Sequence, residues 1–271
     1  MIITNILQGI GKKLGNKTAK SNYKGLSWLA EKLLKHQDDF NLKQRSFGYF
    51  TLNYIRPYEV IKTYKEIFCT EIYQFTASSI NPIIVDCGAN IGLSTLYFGL
   101  AYPNSKVYAF EPDSNIYKLL HKNITDNKLY NITLFNEAVW IQDTTLSFSN
   151  RGSEASQIDS SGLSATKVKA IRLANFLNEF TKIDFLKMDI EGAEFEVIQD
   201  CAAQLIKIEN LFLEYHGTSS ETHKLITLLD IVKAAGFKVY IKMAADNLAI
   251  PFVQKTTGTP FDVQLNIFCY K

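Results

Sequence analysis

From residue 81 onward the chain alternates short apolar runs with longer segments in which apolar residues recur at helical spacing. The apolar runs are rich in β-branched residues and cover residues 83–86, 106–110, 132–139, 183–188 and 208–214. The helical segments cover residues 92–101, 114–126, a stretch from about 193, and 220–235. Buried strands that alternate with helices predict a mostly parallel sheet with helices on both faces.

The last two apolar runs, residues 237–241 and 263–270, are predicted to complete the sheet as an antiparallel pair. Gly236 is predicted to end the helix before them, because glycine readily adopts the left-handed conformation found at helix C-termini. Residues 144–172 predict an irregular excursion with short strands, including the Gly/Ser-rich run 151–164. The expected fold is therefore an α/β fold built on a seven-stranded sheet.

Residues 1–56 are predicted to form a basic, helical extension, and residues 57–271 the main domain. Apolar positions recur at helical spacing beside five lysines between residues 12 and 24, and a second helix is predicted over residues 27–37. The basic pattern fits peripheral contact with a membrane surface or an anionic glycan. It also fits a helix that packs on the main domain or on a second copy of the chain. We favour packing, because such patterns are common on helices of water-soluble proteins.

A further helix, beginning at Pro57, is predicted to reach about residue 75.

Composition adds few limits. A chain of 271 residues, 46% hydrophobic and 21% charged, can bury the core of one α/β domain with an attached segment. Its net charge of +2 neither indicates nor excludes a polyanionic partner. The four cysteines and four histidines lack metal-ligand spacing, so the cysteines are expected to be reduced and buried. No apolar run reaches membrane-spanning length, and a cytoplasmic location is expected.

The main candidate for a binding site is the turn that follows the first strand, within residues 83–94. The strand ends at Asp86, and Gly88 and Gly92 follow before the helix begins. Glycines there let the backbone approach a ligand at the carboxyl edge of the sheet, where open α/β folds bind cofactors. A dinucleotide site would show Gly-x-Gly-x-x-Gly. The observed Asp-x-Gly-x-x-x-Gly places a carboxylate where a phosphate would be repelled, and favours the sulfonium nucleoside S-adenosylmethionine.

A second carboxylate, Glu111, follows Asp86 by 25 residues and ends the second strand. An acid there commonly binds the two ribose hydroxyls of a nucleoside, and the alternative is that Glu111 caps the next helix. Asp113 or Ser114 can also cap that helix. On the third strand, Glu137 can accept the adenine amino group while the neighbouring alanine offers its backbone; otherwise Glu137 is an edge-strand charge in solvent.

Acidic residues also follow the fourth strand. Asp189 and Glu191 stand at its tip, where burial without partners is costly, and they are predicted to face the transferred methyl group. The alternative for Glu191, and more so for Glu194, is capping of the helix that follows. His216 ends the fifth strand at the same edge and is predicted to act as a general base near neutral pH, unless it is simply structural.

These motifs resemble the FkbM family of S-adenosylmethionine-dependent methyltransferases. The resemblance covers about residues 60–271 and rests on Asp-x-Gly-Ala-Asn-x-Gly, from Asp86, and Lys-x-Asp-x-Glu-Gly-Ala-Glu, from Lys187. It implies a Rossmann-like class I methyltransferase fold and O-methylation of a sugar, in a glycan or polysaccharide, or of a natural product. It also implies cofactor positions at Asp86, Gly88, Asn90, Gly92 and Glu111 and active-site positions at Asp189 and Glu191.

The full predicted cofactor set adds neighbours of these positions, namely Ala89, Ser94, Pro112, Asp113, Glu137, Ala138 and Asp189. The predicted catalytic residues are His216, Asp189 and Glu191. No metal ligand is predicted, although the carboxylates at this edge would suit a divalent ion. The loop at residues 150–165 is predicted to order over the acceptor. A homodimer is compatible with the sequence.

The sequence disfavours two rival functions. A methyltransferase for amines or nucleic acid commonly carries Asn/Asp-Pro-Pro-aromatic after the fourth strand or a Pro-Cys nucleophile, and this sequence has neither. It also lacks the interleaved basic and aromatic pattern that single strands require, so no nucleic-acid partner is expected. A non-catalytic protein that binds the cofactor or acts as a scaffold would be expected to lose the strand-tip acids, all of which are present.

Overall fold

A computed structural model of the chain describes residues 23–149, 157–158, 165–248, 250–254 and 260–271. The lysine-rich pattern before residue 23 lies outside the described residues, as does most of the loop at 150–165. The chain divides into two units, Met1–Phe40 with Arg56–Ile72 and Asn41–Ile55 with Tyr73–Lys271.

The described residues contain seven α-helices and thirteen β-strands. The helices are α1 (Trp28–Lys35), α2 (Pro57–Tyr64), α3 (Leu93–Ala101), α4 (Ser114–Asp126), α5 (Leu173–Asn178), α6 (Glu194–Asp200) and α7 (Thr222–Ala234). The strands are β1 (Lys43–Ser46), β2 (Thr51–Tyr54), β3 (Ile83–Cys87), β4 (Lys106–Phe110), β5 (Ile132–Phe135), β6 (Ala138–Trp140), β7 (Thr144–Ser149), β8 (Gln157–Ile158), β9 (Ala165–Arg172), β10 (Ile183–Met188), β11 (Ile208–Gly217), β12 (Lys238–Ala245) and β13 (Val263–Tyr270).

The smaller unit is helical in its described part. The Ser27 hydroxyl accepts a hydrogen bond from the backbone N–H of Ala30 and thereby begins α1. As predicted, Pro57 begins α2, which continues as a π-helical turn, Lys65–Cys69. The predicted extension to residue 75 is wrong, because the helical backbone ends at this turn. The prediction of a helix over residues 27–37 is confirmed within two residues at its C-terminus.

The larger unit is built around a seven-stranded sheet in the order β12-β13-β11-β10-β3-β4-β5. All pairings are parallel except those of β13, which is antiparallel to both of its neighbours. Strand β10 lies in the middle and is buried along its whole length, as expected for a parallel strand covered on both faces. The structure confirms the predicted fold class, a Rossmann-like class I methyltransferase fold. Gly236 also ends α7 as predicted, with a φ of +91°.

Parallel pairing brings the carboxyl ends of four strands to one edge of this sheet. Asp86 of β3 lies opposite Lys187 of β10, and Cys87 lies opposite Phe110 of β4. Strand β11 pairs in parallel with β10 on its other side. The turns that follow β3, β4, β10 and β11 therefore share one edge, and every residue predicted to be catalytic lies on it or directly after it.

The prediction that residues 132–139 form one strand is wrong, because they form two strands in different sheets. Strand β5 pairs with β4 in the main sheet, whereas β6 pairs with β9 in a separate four-stranded sheet of order β6-β9-β7-β8. Between them, the Asn136 amide donates hydrogen bonds to the carbonyl oxygens of Glu111 (2.9 Å) and Pro112 (3.0 Å). Both strands are rich in apolar residues, so hydrophobicity alone does not reveal where the chain changes sheet.

A β-hairpin, β1 and β2, occupies part of the segment that was predicted to be helical, and it belongs to the larger unit. Its anchor is the buried Asn123 of α4. The Asn123 side-chain oxygen accepts the backbone N–H of Asn53 at 2.7 Å, and its amide donates to the carbonyls of Asn53 (3.0 Å) and Ile91 (2.8 Å). The same side chain therefore joins the hairpin to the glycine turn.

Two expectations drawn from composition can be compared with the described residues. Cys87, Cys201 and Cys269 are buried and free, as predicted, whereas Cys69 is partly exposed. Among the described residues, no helix combines the length and the apolar character needed to cross a membrane.

Candidate active site

The turn after β3 is held in shape by the protein's own backbone. Gly88, Asn90 and Gly92 have positive φ values of +80°, +50° and +97°. The N–H groups of Gly88 and Ala89 both donate to the carbonyl of Phe110 at the end of β4, at 3.1 and 2.9 Å. This pairing folds the turn onto the neighbouring strand.

The two glycines are required by packing within the chain. A Cβ atom on Gly88 would lie 1.8 Å from the carbonyl oxygen of Asp189, and one on Gly92 would lie 2.6 Å from Leu120 Cδ1. The protein itself occupies the space beside both Cα atoms. Packing within the chain therefore accounts for glycine at these two positions, whereas the sequence prediction attributed the glycines to the close approach of a ligand. A contact of this turn with a cofactor stays a prediction.

Asp86 lies beneath the turn rather than on its surface. The side chain is fully buried, and its Oδ2 atom accepts hydrogen bonds from the hydroxyls of Ser94 and Thr95, both at 2.7 Å. Its Oδ1 atom lies 3.4 Å from Lys187 Nζ. The geometry gives Asp86 and Ser94 a supporting position beneath the turn, and a contact of either residue with a cofactor stays a prediction.

Lys187 lies at the candidate site but was not among the residues predicted from the sequence. Its ammonium group is buried, donates to the carbonyl of Gly88 at 2.9 Å and lies 3.5 Å from Asp189 Oδ2. Burial lowers the pKa of Lys187, but the carboxylates of Asp189 and Asp86 outweigh burial and raise it overall, so the residue is a cation. A lysine inside the wholly buried strand β10 was the available signal, because a buried ammonium requires carboxylate partners.

Glu111 bridges the turns that follow β3 and β4. One carboxylate oxygen accepts the backbone N–H of Asn90 and the other that of Asp113, both at 2.9 Å. Burial raises the pKa of Glu111 to about 7, against the opposing effect of these two hydrogen bonds. Each oxygen keeps a second lone pair that can accept a ligand hydroxyl. Asp113 caps α4 as predicted, by accepting the N–H groups of Asn115 and Ile116.

The predicted adenine contacts lie where the chain leaves the main sheet. Glu137 forms an ion pair with Lys169 of β9, and Ala138 is a buried residue at the start of β6. The carboxylate of Glu137 is thus already paired with the ammonium group of Lys169. Binding of adenine by this pair stays a prediction.

Four carboxylates surround His216 at the tips of β10 and β11. The Nδ1 atom of His216 lies 3.2 Å from Glu194 Oε1, and its Nε2 atom lies 3.8 Å from both Glu191 Oε2 and Glu214 Oε1. Ligand atoms of Asp189, Glu214 and His216 all lie within 4.8 Å of one another. The structure therefore brings the three predicted catalytic residues together.

The environment of His216 changes its predicted role. Burial lowers the pKa of His216, but the hydrogen bond and charge of Glu194, with the charges of Asp189 and Glu191, raise it to about 10. His216 is consequently an imidazolium at neutral pH when these carboxylates are its only partners. This argues against the general-base role expected for it near pH 7, since an imidazolium has no lone pair for a proton.

Glu194 organises the turn after β10. Its carboxylate is fully buried and accepts the backbone N–H groups of Ile190 (3.0 Å) and Gly192 (3.1 Å). Glu191 and Gly192 have positive φ values of +57° and +100°, and the ring of Phe261 fills the space that a Cβ on Gly192 would need. Of the two acids considered for capping, it is Glu194 that satisfies the backbone of this turn.

Residues 86–239 match the family described as Methyltransferase FkbM domain, which is more than half of the chain. The chain belongs to the FkbM methyltransferase family. The FkbM domain match spans the glycine turn, Glu111, the turn after β10 and His216. Every predicted site residue therefore lies within the family domain.

Three proteins that are similar to the chain are named as methyltransferases. The FkbM-family chain is 31% identical over 172 residues to methyltransferase sdnD of Sordaria araneosa, a match that covers 50% of this chain and 66% of that protein. It is 25% identical over 210 residues to methyltransferase 1 of Beauveria bassiana, covering 68% and 83%. It is 26% identical over 156 residues to 2-O-methyltransferase NoeI of Sinorhizobium fredii, covering 50% and 63%. The matches thus span slightly less than two thirds of the Sordaria and Sinorhizobium proteins.

Proposed function

We propose that this FkbM-family chain uses S-adenosylmethionine to methylate a hydroxyl group of a sugar, in a glycan or polysaccharide, or of a natural product. The observation that carries the proposal is Glu111. In a methyltransferase-family chain, this buried carboxylate joins the glycine turn to the next strand tip and keeps one lone pair on each oxygen. Two adjacent ribose hydroxyls are the donors that such a carboxylate suits best.

The residues at this edge fit the cofactor. The sulfonium of S-adenosylmethionine supplies a methyl group that is already activated, so the chain has to bind, orient and exclude water. Glu111 would hold the ribose, while Asp86 and Lys187 keep the glycine turn in place from below. The excess of carboxylates at the sheet edge favours a positively charged donor over a phosphorylated one.

The acceptor would lie on the side of β10 and β11. A hydroxyl must lose its proton during transfer, and in this proposal the carboxylate of Asp189 or Glu191 receives it. General-base assistance of this kind contributes on the order of a hundredfold or more to the rate. His216 would orient these carboxylates. The relative named as a 2-O-methyltransferase supports oxygen as the acceptor atom.

The test of the proposal is binding followed by transfer. In titration calorimetry, S-adenosylmethionine should bind at one site per chain, whereas NADH should give no heat. A radiolabelled methyl group should then pass to a panel of sugars and not to their amino analogues. Absence of heat with S-adenosylmethionine would contradict the cofactor assignment. Transfer only to amines would contradict the acceptor assignment alone.

Cofactor affinity is expected to rise with pH through the ionisation of Glu111. Ligand hydroxyls need the ionised carboxylate, so with a pKa of about 7 the dissociation constant should fall roughly tenfold from about pH 6 to about pH 8. The same raised pKa means that the folded chain keeps this proton to higher pH than the unfolded chain does. Without ligand, the Glu111 contribution therefore lowers the free energy of unfolding as pH rises from 4.5 to about 7.

The control for this prediction is Glu111→Gln, which keeps the shape of the side chain and cannot ionise. The variant should bind S-adenosylmethionine more weakly, and its dissociation constant should lack the Glu111 part of the pH dependence. Because the cofactor's own amino group also titrates, the difference between the two pH profiles is the quantity to measure. Parallel profiles for the two proteins would contradict the assignment.

A further inference from the structure

The group formed by Asp189, Glu214 and His216, called here the strand-tip cluster, has the composition of a divalent-metal site. Its ligand atoms lie within 4.8 Å of one another. The distance of 3.8 Å between His216 Nε2 and Glu214 Oε1 is longer than a hydrogen bond. It is the distance expected between two atoms that bind the same metal ion, because metal–ligand bonds of about 2.0–2.6 Å place neighbouring ligand atoms roughly 3–4 Å apart.

A second and independent observation is the buried carboxylate on the other side of the histidine ring. A histidine that binds a metal almost always donates its other ring N–H to a carboxylate, carbonyl or water, which fixes the ring. The Glu194 carboxylate lies 3.2 Å from His216 Nδ1 and is itself held by backbone N–H groups. In the described part of the chain Nε2 makes no hydrogen bond, although the side chain is only 3% exposed.

The negative charges around the cluster also favour the binding of a cation. Asp189, Glu191 and Glu214 are each about one quarter exposed and converge on the same ring. Lys187 approaches Asp189 from the protein interior and is shared with Asp86. A divalent ion between Asp189 and Glu214 would compensate both at short range.

We propose that Asp189, Glu214 and the Nε2 atom of His216 bind a divalent cation of the Mg²⁺ and Mn²⁺ class, with Glu194 as the positioning residue. The cation would replace the Nε2 proton of the imidazolium, which is released to solvent. Two carboxylates and one imidazole favour such ions over those that prefer thiolates. The role of the ion rests on the proposed function, where it would supply a Lewis acid to the acceptor hydroxyl and leave Glu191 to take the proton. Its binding does not depend on that function.

The experiment is a titration of the full chain with Mn²⁺ in the absence of S-adenosylmethionine, followed by electron paramagnetic resonance of the free ion. The chain should bind roughly one Mn²⁺, and Mg²⁺ should compete for it. Glu214→Gln should weaken Mn²⁺ binding at least tenfold. Glu209→Gln is the matched control, because Glu209 lies near the opposite end of the same strand, and it should bind Mn²⁺ as the parent does.

A spectroscopic signature tests the histidine. Pulsed electron paramagnetic resonance of the Mn²⁺ complex should show coupling to ¹⁴N, and this coupling should vanish in His216→Gln. Glu194→Gln should weaken Mn²⁺ binding while keeping the ¹⁴N coupling, because it disturbs only the orientation of the ring. Circular dichroism verifies that each variant is folded.

The proposal is overturned if the parent binds no Mn²⁺, if Glu214→Gln and Glu209→Gln bind it equally, or if the complex shows no ¹⁴N coupling. Calorimetry with S-adenosylmethionine in the presence of a chelator measures cofactor binding independently of metal binding. Loss of metal binding with intact cofactor binding would refute this inference and leave the proposed function standing.

Discussion

Gly88→Ala is expected to destabilise the chain by about 2–5 kcal/mol and to abolish cofactor binding. Two costs combine. A φ of +80° is unfavourable for any residue with a Cβ, by roughly 1–2 kcal/mol. The new methyl group would also lie 1.8 Å from Asp189 O and 2.9 Å from Asp189 C, which are backbone atoms that cannot rotate away. The tips of β3 and β10 would have to separate, at a further cost of about 1–3 kcal/mol.

The chain offers a matched control for this change. Gly236 has a similar φ of +91°, but a Cβ there meets no atom within 4 Å. Gly236→Ala should therefore show only the conformational cost, roughly 1–2 kcal/mol. Urea unfolding of both variants gives the comparison, and calorimetry with S-adenosylmethionine shows whether the loss of binding is confined to Gly88→Ala. Equal destabilisation of the two variants would mean that the contact with Asp189 imposes no strain.

Much of the main sheet was predictable, because its strands carry their signal locally. Strands β3, β4 and β10 are apolar runs that end at a polar turn, and the helices between them have clear apolar periodicity. The split between β5 and β6 was not predictable in this way. It depends on Asn136 holding the carbonyls after β4, a contact between segments that hydrophobicity does not encode. The hairpin β1–β2 similarly depends on the distant Asn123.

The site was predictable in its location but not in the direction of each side chain. Parallel strands place their carboxyl ends at one edge, so acids after β3, β4 and β10 could be expected to meet. Whether a given carboxylate turns inward or outward depends on residues far away in the sequence. Asp86 turns inward because Ser94, Thr95 and Lys187 bind it there.

The protonation state of His216 could not be predicted from the sequence either. A histidine at a strand tip has an ordinary pKa near neutrality, which made a general base the natural expectation. The buried Glu194 and the charges of Asp189 and Glu191 reverse that expectation by favouring the cation. Residue type and position predicted that His216 belongs to the site. Its protonation is set by neighbours on another strand and turn, and so needed the structure.

Lys187→Met is expected to destabilise the chain by about 3–5 kcal/mol at neutral pH, the cost of breaking a buried ion pair from one side. Methionine can occupy the volume of the lysine stem, so the loss would come from charge rather than from packing. The Asp86 carboxylate is fully buried, and Lys187 is the cation within 4 Å of it among the described residues. The change also removes the hydrogen bond to the carbonyl of Gly88, which should loosen the glycine turn and weaken cofactor binding.

A double-mutant cycle separates charge from the other effects. In Asp86→Asn/Lys187→Met, the carboxamide oxygen can still accept from Ser94 and Thr95 but needs no cation, so the double variant should be clearly more stable than Lys187→Met alone. Lys182→Met removes a half-exposed lysine that pairs with Glu209 and should change the free energy of unfolding by less than about 1 kcal/mol. Additive effects of the two substitutions at Asp86 and Lys187 would show that the pair is not coupled. The glycine turn would then have to be held by its backbone hydrogen bonds to β4 and by Glu111.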